Sequence, residues 1–399
     1  MNILFVTIAW AREGERNLYS DLMDEFRNNG HDVYVVCNEE LKTHNETRLT
    51  IENDLHILRV TTGRIKKTAY FRKMISLLML GSQMQAAIDK YLKDAYFDLI
   101  IFNTPPITLS GLIKYLKKKY SCPFYLLLKD MWPQGSVDLE VIKKYGMIWQ
   151  FFRYHEKRIY RLADYIGCMS PMGVEYIRGN NPFIPKQNVE ECPNSIRSSE
   201  EEIINTDGLC EKYNIPEGAT IFSFSGNMEL GHGLYFLADA INQLAEYKKA
   251  FFLIGGAGTH FKYLQKAFNE MQPTNAMLYQ RLPLEDFKRV TAIVDVGLIL
   301  LEKKYSVPQF PSRLLTYLEK SKPVLCAVNA TTDIGTIAEK NGCGKTVLHG
   351  DIEAFIKAVK FFSENVVERH QMGINAKKLF TERYTTANSY NIIMQHFTK

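Results

Sequence analysis

The chain of 399 residues is long enough for two domains that each bury a core of their own. Hydrophobic residues make up 46% and charged residues 23%, which is typical of a globular protein, and the net charge of +5 is too small to predict coating of nucleic acid. The seven cysteines are scattered mostly inside apolar runs and follow no zinc-ligand spacing, so we expect reduced thiols in a cytosolic protein.

The first half of the chain predicts a series of strands and helices that begins with a βαβ unit. Residues 2–8 form an apolar strand, a helix from Asn17 ends at Asn29-Gly30, and residues 31–36 return as a second strand. This order predicts a parallel sheet with right-handed crossovers. Helices fill the gaps between further strands, including a helix at 149–163, and those strands are predicted at 56–60, 97–103, 123–128 and 165–170.

A polar stretch without periodicity, near residues 189–202, separates two such series. The strands of the second series are predicted at 220–225, 250–254, 277–279, 295–301 and 323–328. We therefore predict an α/β fold with two Rossmann-like, doubly wound domains that face each other across a cleft. The first domain takes residues 1–195 and the second takes 205–380, while 381–399 form a C-terminal helix that packs back on the first domain.

One predicted helix begins where open α/β sheets bind ligands. An apolar strand at 296–301 is followed by a polar loop, and Pro311 and Ser312 are placed to begin a helix that Pro323 ends. The helix start lies outside the carboxyl end of that strand, where free N–H groups and the helix dipole suit a phosphate. Arg313 adds a permanent positive charge at this point.

Two glycine-rich turns follow strands of the second domain. The turn at 225–233 allows the backbone to approach a ligand, and His232 there would donate to a phosphate oxygen or cap the next helix; an ordinary tight turn is the alternative. The turn at 254–259 lacks a clean dinucleotide-binding pattern, and no acidic residue ends a second strand about 20 residues further on. Packing of helix against strand is the favoured role of this second turn.

Polar residues of the first domain follow strands that end at the same edge of the sheet. Lys129 and Asp130 come after a buried strand and would touch sugar hydroxyls or the reacting centre; an ion pair at the loop edge is the alternative. Arg12, Gly14 and Arg16 lie in the loop after the first strand and would cover the same ligand.

Aromatic and basic residues of the first domain have predicted roles in core packing and in membrane docking. The helical spacing of four aromatic residues, Phe151, Phe152, Tyr154 and Tyr160, predicts core packing. Basic residues flank the apolar run at 74–80 and favour docking on an anionic membrane surface, whereas a core helix with a solvated basic end is the more common alternative; these residues are Arg64, Lys66, Lys67, Arg72 and Lys73.

Taken in order, these stretches resemble the GT-B glycosyltransferases of family 4 over nearly the whole chain. In character the chain is similar to the branch that builds capsule or O-antigen repeat units, which includes enzymes described as N-acetylfucosamine transferases. The matching stretches include 30–36, Lys129-Asp-Met-Trp-Pro133, Cys192-Pro-Asn-Ser195, 224–234, Leu253-Ile-Gly-Gly-Ala-Gly258, and Phe310-Pro-Ser-Arg313 through 322–324.

The resemblance implies a metal-independent, retaining transfer of a sugar from a UDP-sugar, with no cofactor. A lipid-linked saccharide is the implied acceptor, on the side of Arg12, Gly14 and Arg16, in a cytoplasmic enzyme that docks peripherally on the inner membrane face. Lys129 stands at the family's sugar-contacting histidine, beside Asp130. The implied nucleotide-sugar contacts are Gly226, Asn227, His232, Ser312, Arg313 and Leu314 at the diphosphate, Gln309 and Phe310 at the donor sugar, and Arg281 and Leu282 by the base.

The chain departs from the family pattern at charged positions. The family's two glutamates fall on Pro308 and Thr316, of which Thr316 keeps a hydroxyl for the ribose, and the usual Arg and Lys of the first phosphate turn are Asn227 and His232. Two other functions therefore stay open: a nucleotide-sugar epimerase of GT-B fold, and a non-catalytic partner subunit. A nicotinamide oxidoreductase is disfavoured because neither glycine turn has the expected ribose-binding acid.

Overall fold

The structure is a computed structural model, and it describes residues 1–12, 14–40, 46–64, 70–199, 204–280 and 282–397. The chain divides into two compact units. Unit 1 consists of Met1–Arg197 together with Thr385–Lys399, and unit 2 is Ser198–Tyr384.

Unit 1 is built on a sheet whose described strands lie in the order β3-β4-β2-β1-β5-β6-β7-β8. Within the described strands, every neighbouring pair is parallel except β3 with β4. The central strands are buried on both faces, which explains their continuous apolar runs. The strands are β1 (Asn2–Thr7), β2 (Asp32–Glu40), β3 (Arg48–Glu52), β4 (Leu55–Thr62), β5 (Leu99–Thr104), β6 (Phe124–Leu128), β7 (Tyr165–Cys168) and β8 (Val189–Glu191).

The helices of unit 1 connect these strands, and the first shows how local sequence sets their ends. The Asn17 side chain accepts hydrogen bonds from the N–H groups of Tyr19 and Ser20, and Gly30 follows the helix at a φ of +81°. The helices are α1 (Leu18–Asn28), α2 (Tyr70–Tyr91), α3 (Ser110–Tyr120), α4 (Gln134–Asp138), α5 (Met147–Leu162) and α6 (Pro171–Asn180).

Unit 2 has a parallel sheet whose described strands lie in the order β11-β10-β9-β12-β13-β14. Counted within the unit this is the order 3-2-1-4-5-6, so the strand order reverses between β9 and β12. Open sheets bind ligands outside the carboxyl ends of the strands at such a reversal. The strands are β9 (Thr220–Asn227), β10 (Ala250–Ala257), β11 (Ala276–Gln280), β12 (Val296–Leu300), β13 (Val324–Val328) and β14 (Gly344–Leu348).

The helices of unit 2 are α7 (Leu209–Lys212), α8 (Leu234–Gln243), α9 (Phe261–Met271), α10 (Leu284–Ile293), α11 (Arg313–Glu319), α12 (Ile334–Lys340), α13 (Ile352–Glu364) and α14 (Val366–Arg383). The last helix, α15 (Thr386–Met394), belongs to unit 1. It packs on α1, where the Tyr390 ring lies 5.0 Å from that of Phe26 and its hydroxyl is 2.9 Å from Nε2 of His31.

The predicted fold class, two Rossmann-like α/β domains, is confirmed, whereas several details were wrong. Strands β3, β8 and β14 were not predicted, because β3 alternates between half-buried and exposed residues, β8 is three residues long, and β14 is a half-buried edge strand. Helix α11 begins at Arg313, and the Ser312 side chain makes no capping hydrogen bond because its backbone is already helical. Tyr154 is exposed, while Phe152 and Tyr160 are buried as predicted.

Candidate functional site

The two glycine-rich turns of unit 2 lie at the carboxyl ends of β9 and β10. Gly226, with a φ of +128°, stands opposite Gly256, with a φ of +149°. A Cβ on Gly256 would lie 1.8 Å from the carbonyl oxygen of Gly226, and a Cβ on Gly258 would lie 2.2 Å from that of Met228. The turn at 254–259 therefore serves close packing, although its partner is the end of β9 rather than the predicted helix.

Arg313 is the first residue of α11, and its guanidinium lies over the Phe224 ring with Cζ 3.8 Å from the ring centroid. Its Nη2 donates to the carbonyl oxygen of Asn227 at 3.2 Å and lies 3.1 Å from Nε2 of His232. Nη1 is buried and has no hydrogen-bond partner within the described residues. Burial lowers the pKa of Arg313 to about 10, so the group keeps its charge at neutral pH. The site therefore holds a cation with donor capacity for an anion.

Tyr317 fixes the position of α11 on the sheet. Its hydroxyl donates to the Ser223 carbonyl at 2.7 Å, and its ring occupies the space that a Cβ on Gly297 would fill, 2.3 Å away. Arg313 and Tyr317 are four residues apart and share one face of the helix. Because Ser223 is in β9 and Gly297 in β12, Arg313 is held at the reversal of strand order.

His232 ends a 3-10 turn, Leu230–His232, that lies beside Arg313. The Glu229 N–H donates to its Nδ1 at 3.3 Å, and the Glu302 N–H donates to the Gly231 carbonyl at 2.9 Å. Burial, followed by the charge of Arg313, lowers the pKa of His232 to about 3, so the ring is neutral at physiological pH. Because Nδ1 accepts from Glu229, the one proton of the neutral ring lies on Nε2, the nitrogen that faces Nη2 of Arg313. An anionic oxygen bound beside Arg313 would accept from that N–H.

We expect His232 to make the protein less stable as the pH falls. The imidazole keeps its ordinary pKa of 6.5 when unfolded and a value of about 3 when folded, so between these values the unfolded state binds a proton that the folded state does not. Stability is therefore full above about pH 6.5 and declines toward pH 3. Melting temperatures of His232→Gln should fall less between about pH 7.5 and pH 4.5 than those of the wild type. His370→Gln, at an exposed position, is the control, and parallel curves for all three proteins would contradict the assignment.

In unit 1, Lys129 and Asp130 follow β6 as predicted. Lys129 is half-buried, its Nζ donates to the Cys192 carbonyl at 3.3 Å, and burial lowers its pKa. Asp130 is exposed, and no ion pair joins the two within the described part of the chain, so the alternative of a loop-edge ion pair was wrong. Burial raises the pKa of Tyr19, and the negative charge of Asp130 raises it further. A side-chain hydrogen bond with Asn103 lowers it in part. These side chains gather at the carboxyl ends of β5 and β6.

The other acceptor-side residues lie in the loop between β1 and α1. Arg16 forms an ion pair with Asp21 of α1 at 2.8 Å, so much of its charge is already neutralised. The Arg12 side chain is exposed, and its carbonyl accepts from the N–H of Glu15 at 2.9 Å across Gly14, which has a φ of +78°. Their contact with an acceptor stays a prediction.

The remaining predicted contacts divide between interior and surface. Phe310 and Leu314 are buried, with Phe310 lying 6.2 Å from the Tyr384 ring, so their side chains pack in the interior instead of extending toward solvent. The Gln309 carbonyl accepts from the Thr332 hydroxyl at 2.6 Å. Ser312 is exposed and Thr316 is half-buried, Leu282 packs against the core, and Arg281 lies outside the described residues.

Sequence reasoning missed residues that support this site. Phe224 provides the ring beneath Arg313, but a phenylalanine in a strand gives no sign of that role. Glu302 is 2% exposed and accepts a hydrogen bond from the Tyr235 hydroxyl, and its signal was an acid placed directly after an apolar run. Tyr317 had a signal in its spacing of four residues from Arg313.

Residues 16–200 match the family model described as Glycosyltransferase Family 4. This match covers most of unit 1, including Lys129 and Asp130. The chain is also similar to a probable glycosyltransferase, WbjE, of Pseudomonas aeruginosa, at 26% identity over 261 residues. That alignment spans 62% of this chain and 61% of the relative.

Solved structures resemble the chain over nearly its whole length, which the family 4 match alone does not cover. Sucrose-phosphate synthase from Thermosynechococcus elongatus is 13% identical with a TM-score of 0.77, and 99% of this chain aligns with 98% of that one. HepE of Anabaena, in complex with UDP and glucose, is 13% identical with a TM-score of 0.70, and the alignment covers 99% of each chain. These likenesses confirm the predicted GT-B type of fold.

Proposed function

We propose that the protein is a retaining glycosyltransferase that moves a sugar from a UDP-sugar to a lipid-linked saccharide in surface polysaccharide synthesis. The observation that carries the proposal is Arg313, a cation at the reversal of strand order in unit 2 whose Nη1 has no hydrogen-bond partner among the described residues. The family 4 match and the likeness to WbjE support it. HepE, which shares the fold, was solved with UDP and with UDP-glucose.

The chemistry of transfer requires a group that bears the charge of the departing nucleoside diphosphate. Arg313 supplies two N–H donors from Nη1, and the neutral His232 ring supplies one N–H beside it. These donors stabilise the leaving diphosphate as its bond to the sugar breaks. An acceptor hydroxyl attacks the oxocarbenium-like sugar from the same face, and its proton passes to the departing phosphate oxygen. Thr316 offers a hydroxyl to the ribose in place of a carboxylate. The donor sugar that we propose is an N-acetylated deoxyhexosamine.

Unit 1 is proposed to bind the acceptor. Asp130 is exposed at the carboxyl end of β6, so its carboxylate is available to accept hydrogen bonds from sugar hydroxyls. The half-buried Lys129, committed to the Cys192 carbonyl, positions this loop.

A thermal-shift panel tests the proposal with UDP, UDP-sugars, ADP and NAD. A ligand at 100 times its Kd adds about 2.7 kcal/mol, which should raise the melting temperature of a domain of this size by about 5–10 °C. UDP and its sugar conjugates are expected to give this shift, whereas NAD should give none. The absence of a shift with every UDP compound would refute the proposal.

Pro308 and Thr316, at the positions of the family's glutamates, favour a second candidate, a partner subunit that binds nucleotide without catalysis. Release of UDP from a UDP-sugar in the presence of acceptor distinguishes the two. Binding without release would favour the partner subunit, and conversion of the donor sugar with no acceptor would favour an epimerase.

A further inference from the structure

The turn that carries His232 is held in place at the glycine on each side of that residue. The Gly231 carbonyl accepts a hydrogen bond from the N–H of Glu302, just after β12, at 2.9 Å. The Gly233 carbonyl lies 3.2 Å from Nε2 of His349, the residue that follows β14. The position of His232 therefore depends on two hydrogen bonds to segments that follow other strands of the sheet.

His349 is fixed in the interior of unit 2. It is 5% exposed, its backbone N–H donates to the Val328 carbonyl at 2.9 Å, and its ring centre lies 4.8 Å from that of Phe236 in α8. Burial lowers the pKa of His349, so the ring is neutral at physiological pH. Nδ1 has no hydrogen-bond partner within the described residues, so the proton of the neutral ring lies on Nε2 and is donated to the Gly233 carbonyl.

The two glycines provide the space that these contacts need. Gly233 has a φ of +56°, and a Cβ there would lie 2.0 Å from Nε2 of His349. A Cβ on Gly231 would lie 2.0 Å from the Tyr305 hydroxyl. Nδ2 of Asn329 donates to the Tyr305 carbonyl at 3.1 Å, which anchors the loop after β12. The glycine spacing in this turn therefore reflects close packing of other residues against it.

We infer that His349 is a positioning residue for the diphosphate of the nucleotide sugar. By donating to the Gly233 carbonyl it keeps the turn closed, so that the N–H of His232 stays beside Arg313. Without this donor a buried carbonyl would lose its partner, and the turn would open to let water replace it. His349 is buried and acts through the turn without touching the ligand. The inference rests on the proposed function, because the diphosphate is that of the proposed UDP-sugar.

Calorimetric titration of the full chain with UDP and with uridine tests the inference. His349→Leu removes the donor, so its affinity for UDP should fall about tenfold. Its affinity for uridine should change less than about twofold, because uridine has no diphosphate. His349→Gln keeps an N–H donor at a similar distance along the side chain and should bind UDP within about threefold of the wild type.

Hydrogen exchange without nucleotide tests the turn itself. The N–H groups of His232 and Gly233 close the turn by donating to the carbonyls of Glu229 and Leu230. In His349→Leu these two amides should exchange about tenfold faster, whereas amides elsewhere in the sheet of unit 2 should keep their wild-type rates. In a His232→Ala background, His349→Leu should weaken UDP binding by less than about threefold, because both residues act through one contact.

The matched control is His155→Leu in α5 of unit 1, where Nδ1 lies 2.8 Å from the Ser110 hydroxyl oxygen. This variant should bind UDP as the wild type does. Circular dichroism should show that each variant is folded. His349→Met also lacks a donor but adapts better to a buried space, so it replaces His349→Leu if that protein does not fold.

The outcomes separate this inference from the proposed function. A wild type that binds no UDP would contradict the proposed function and this inference with it. If the wild type binds UDP and His349→Leu binds it equally, or if exchange in the turn is unchanged, the inference alone fails. It also fails if His349→Gln loses as much affinity as His349→Leu, or if uridine binding falls to the same extent, since His349 would then serve only the overall fold.

Discussion

Replacing Arg313 with alanine is expected to reduce turnover of the UDP-sugar about 100- to 1,000-fold, the usual effect of removing one preorganised donor from a developing charge. The guanidinium is held in place without a ligand. It lies over the Phe224 ring and donates to the Asn227 carbonyl, and the hydrogen bond from Tyr317 to β9 fixes the helix that carries it. Its Nη1 donates no hydrogen bond to any of the described residues. Two glutamates and two phosphate-turn cations that the family resemblance implies are absent from the sequence, so we expect Arg313 to carry a larger share of the charge.

Steady-state release of UDP measures this effect, and two further variants separate charge from geometry. Arg313→Lys keeps a positive charge but loses the planar fork, so we expect its kcat to lie between those of Arg313→Ala and the wild type. Arg161→Ala is the matched control, because Arg161 lies over the Phe183 ring of unit 1 at 4.4 Å in a similar pair and should leave turnover unchanged. An Arg313→Ala enzyme with wild-type kcat and KM would remove the assignment.

Local pattern was sufficient to predict much of this site. The helix start near Ser312 and the glycines around Asn227 each follow an apolar strand, and the carboxyl ends of parallel strands meet at one edge of a sheet. The family resemblance implied that Asn227 and Arg313 hold one diphosphate, and in the structure Arg313 contacts both Asn227 and His232. The contacts that tune the site depend on tertiary packing and could not be predicted. Nothing in the sequence tells that Phe224 lies beneath Arg313 or that burial lowers the pKa of His232.

Exposed apolar residues also show what helical periodicity cannot predict. Helical spacing groups Phe152, Tyr154 and Tyr160 as core residues, yet Tyr154 projects outward while the others are buried. Periodicity predicts that an apolar face is covered, and it does not distinguish a face covered by the chain from one covered by a partner. The same ambiguity applies to Met147 and Ile148, which are exposed at the start of a helix whose later turns pack on the core.

Replacing Gly256 with alanine is expected to destabilise unit 2 and to abolish turnover. Its φ of +149° lies in a region open essentially to glycine alone, and a side chain there costs about 1–3 kcal/mol. The new Cβ would also lie 1.8 Å from the Gly226 carbonyl oxygen, so the ends of β9 and β10 must separate. Asn227, which accepts from Arg313, is the residue after Gly226 and would move with it. The expected fall in melting temperature is about 5 °C or more.

Gly179→Ala isolates the conformational cause from the simple loss of a glycine. Gly179 lies exposed in α6 of unit 1, and a Cβ there would meet nothing within 4 Å. Alanine favours a helix over glycine by up to about 1 kcal/mol, so this variant should be as stable as the wild type or slightly more stable, with full turnover. If Gly256→Ala instead melts with the wild type and keeps its kcat, the ends of β9 and β10 are not held together as described. Because Gly256 has no side chain that could take part in the reaction, we expect the lost activity to come from displaced backbone at the ends of β9 and β10, which includes the Asn227 carbonyl that holds Arg313.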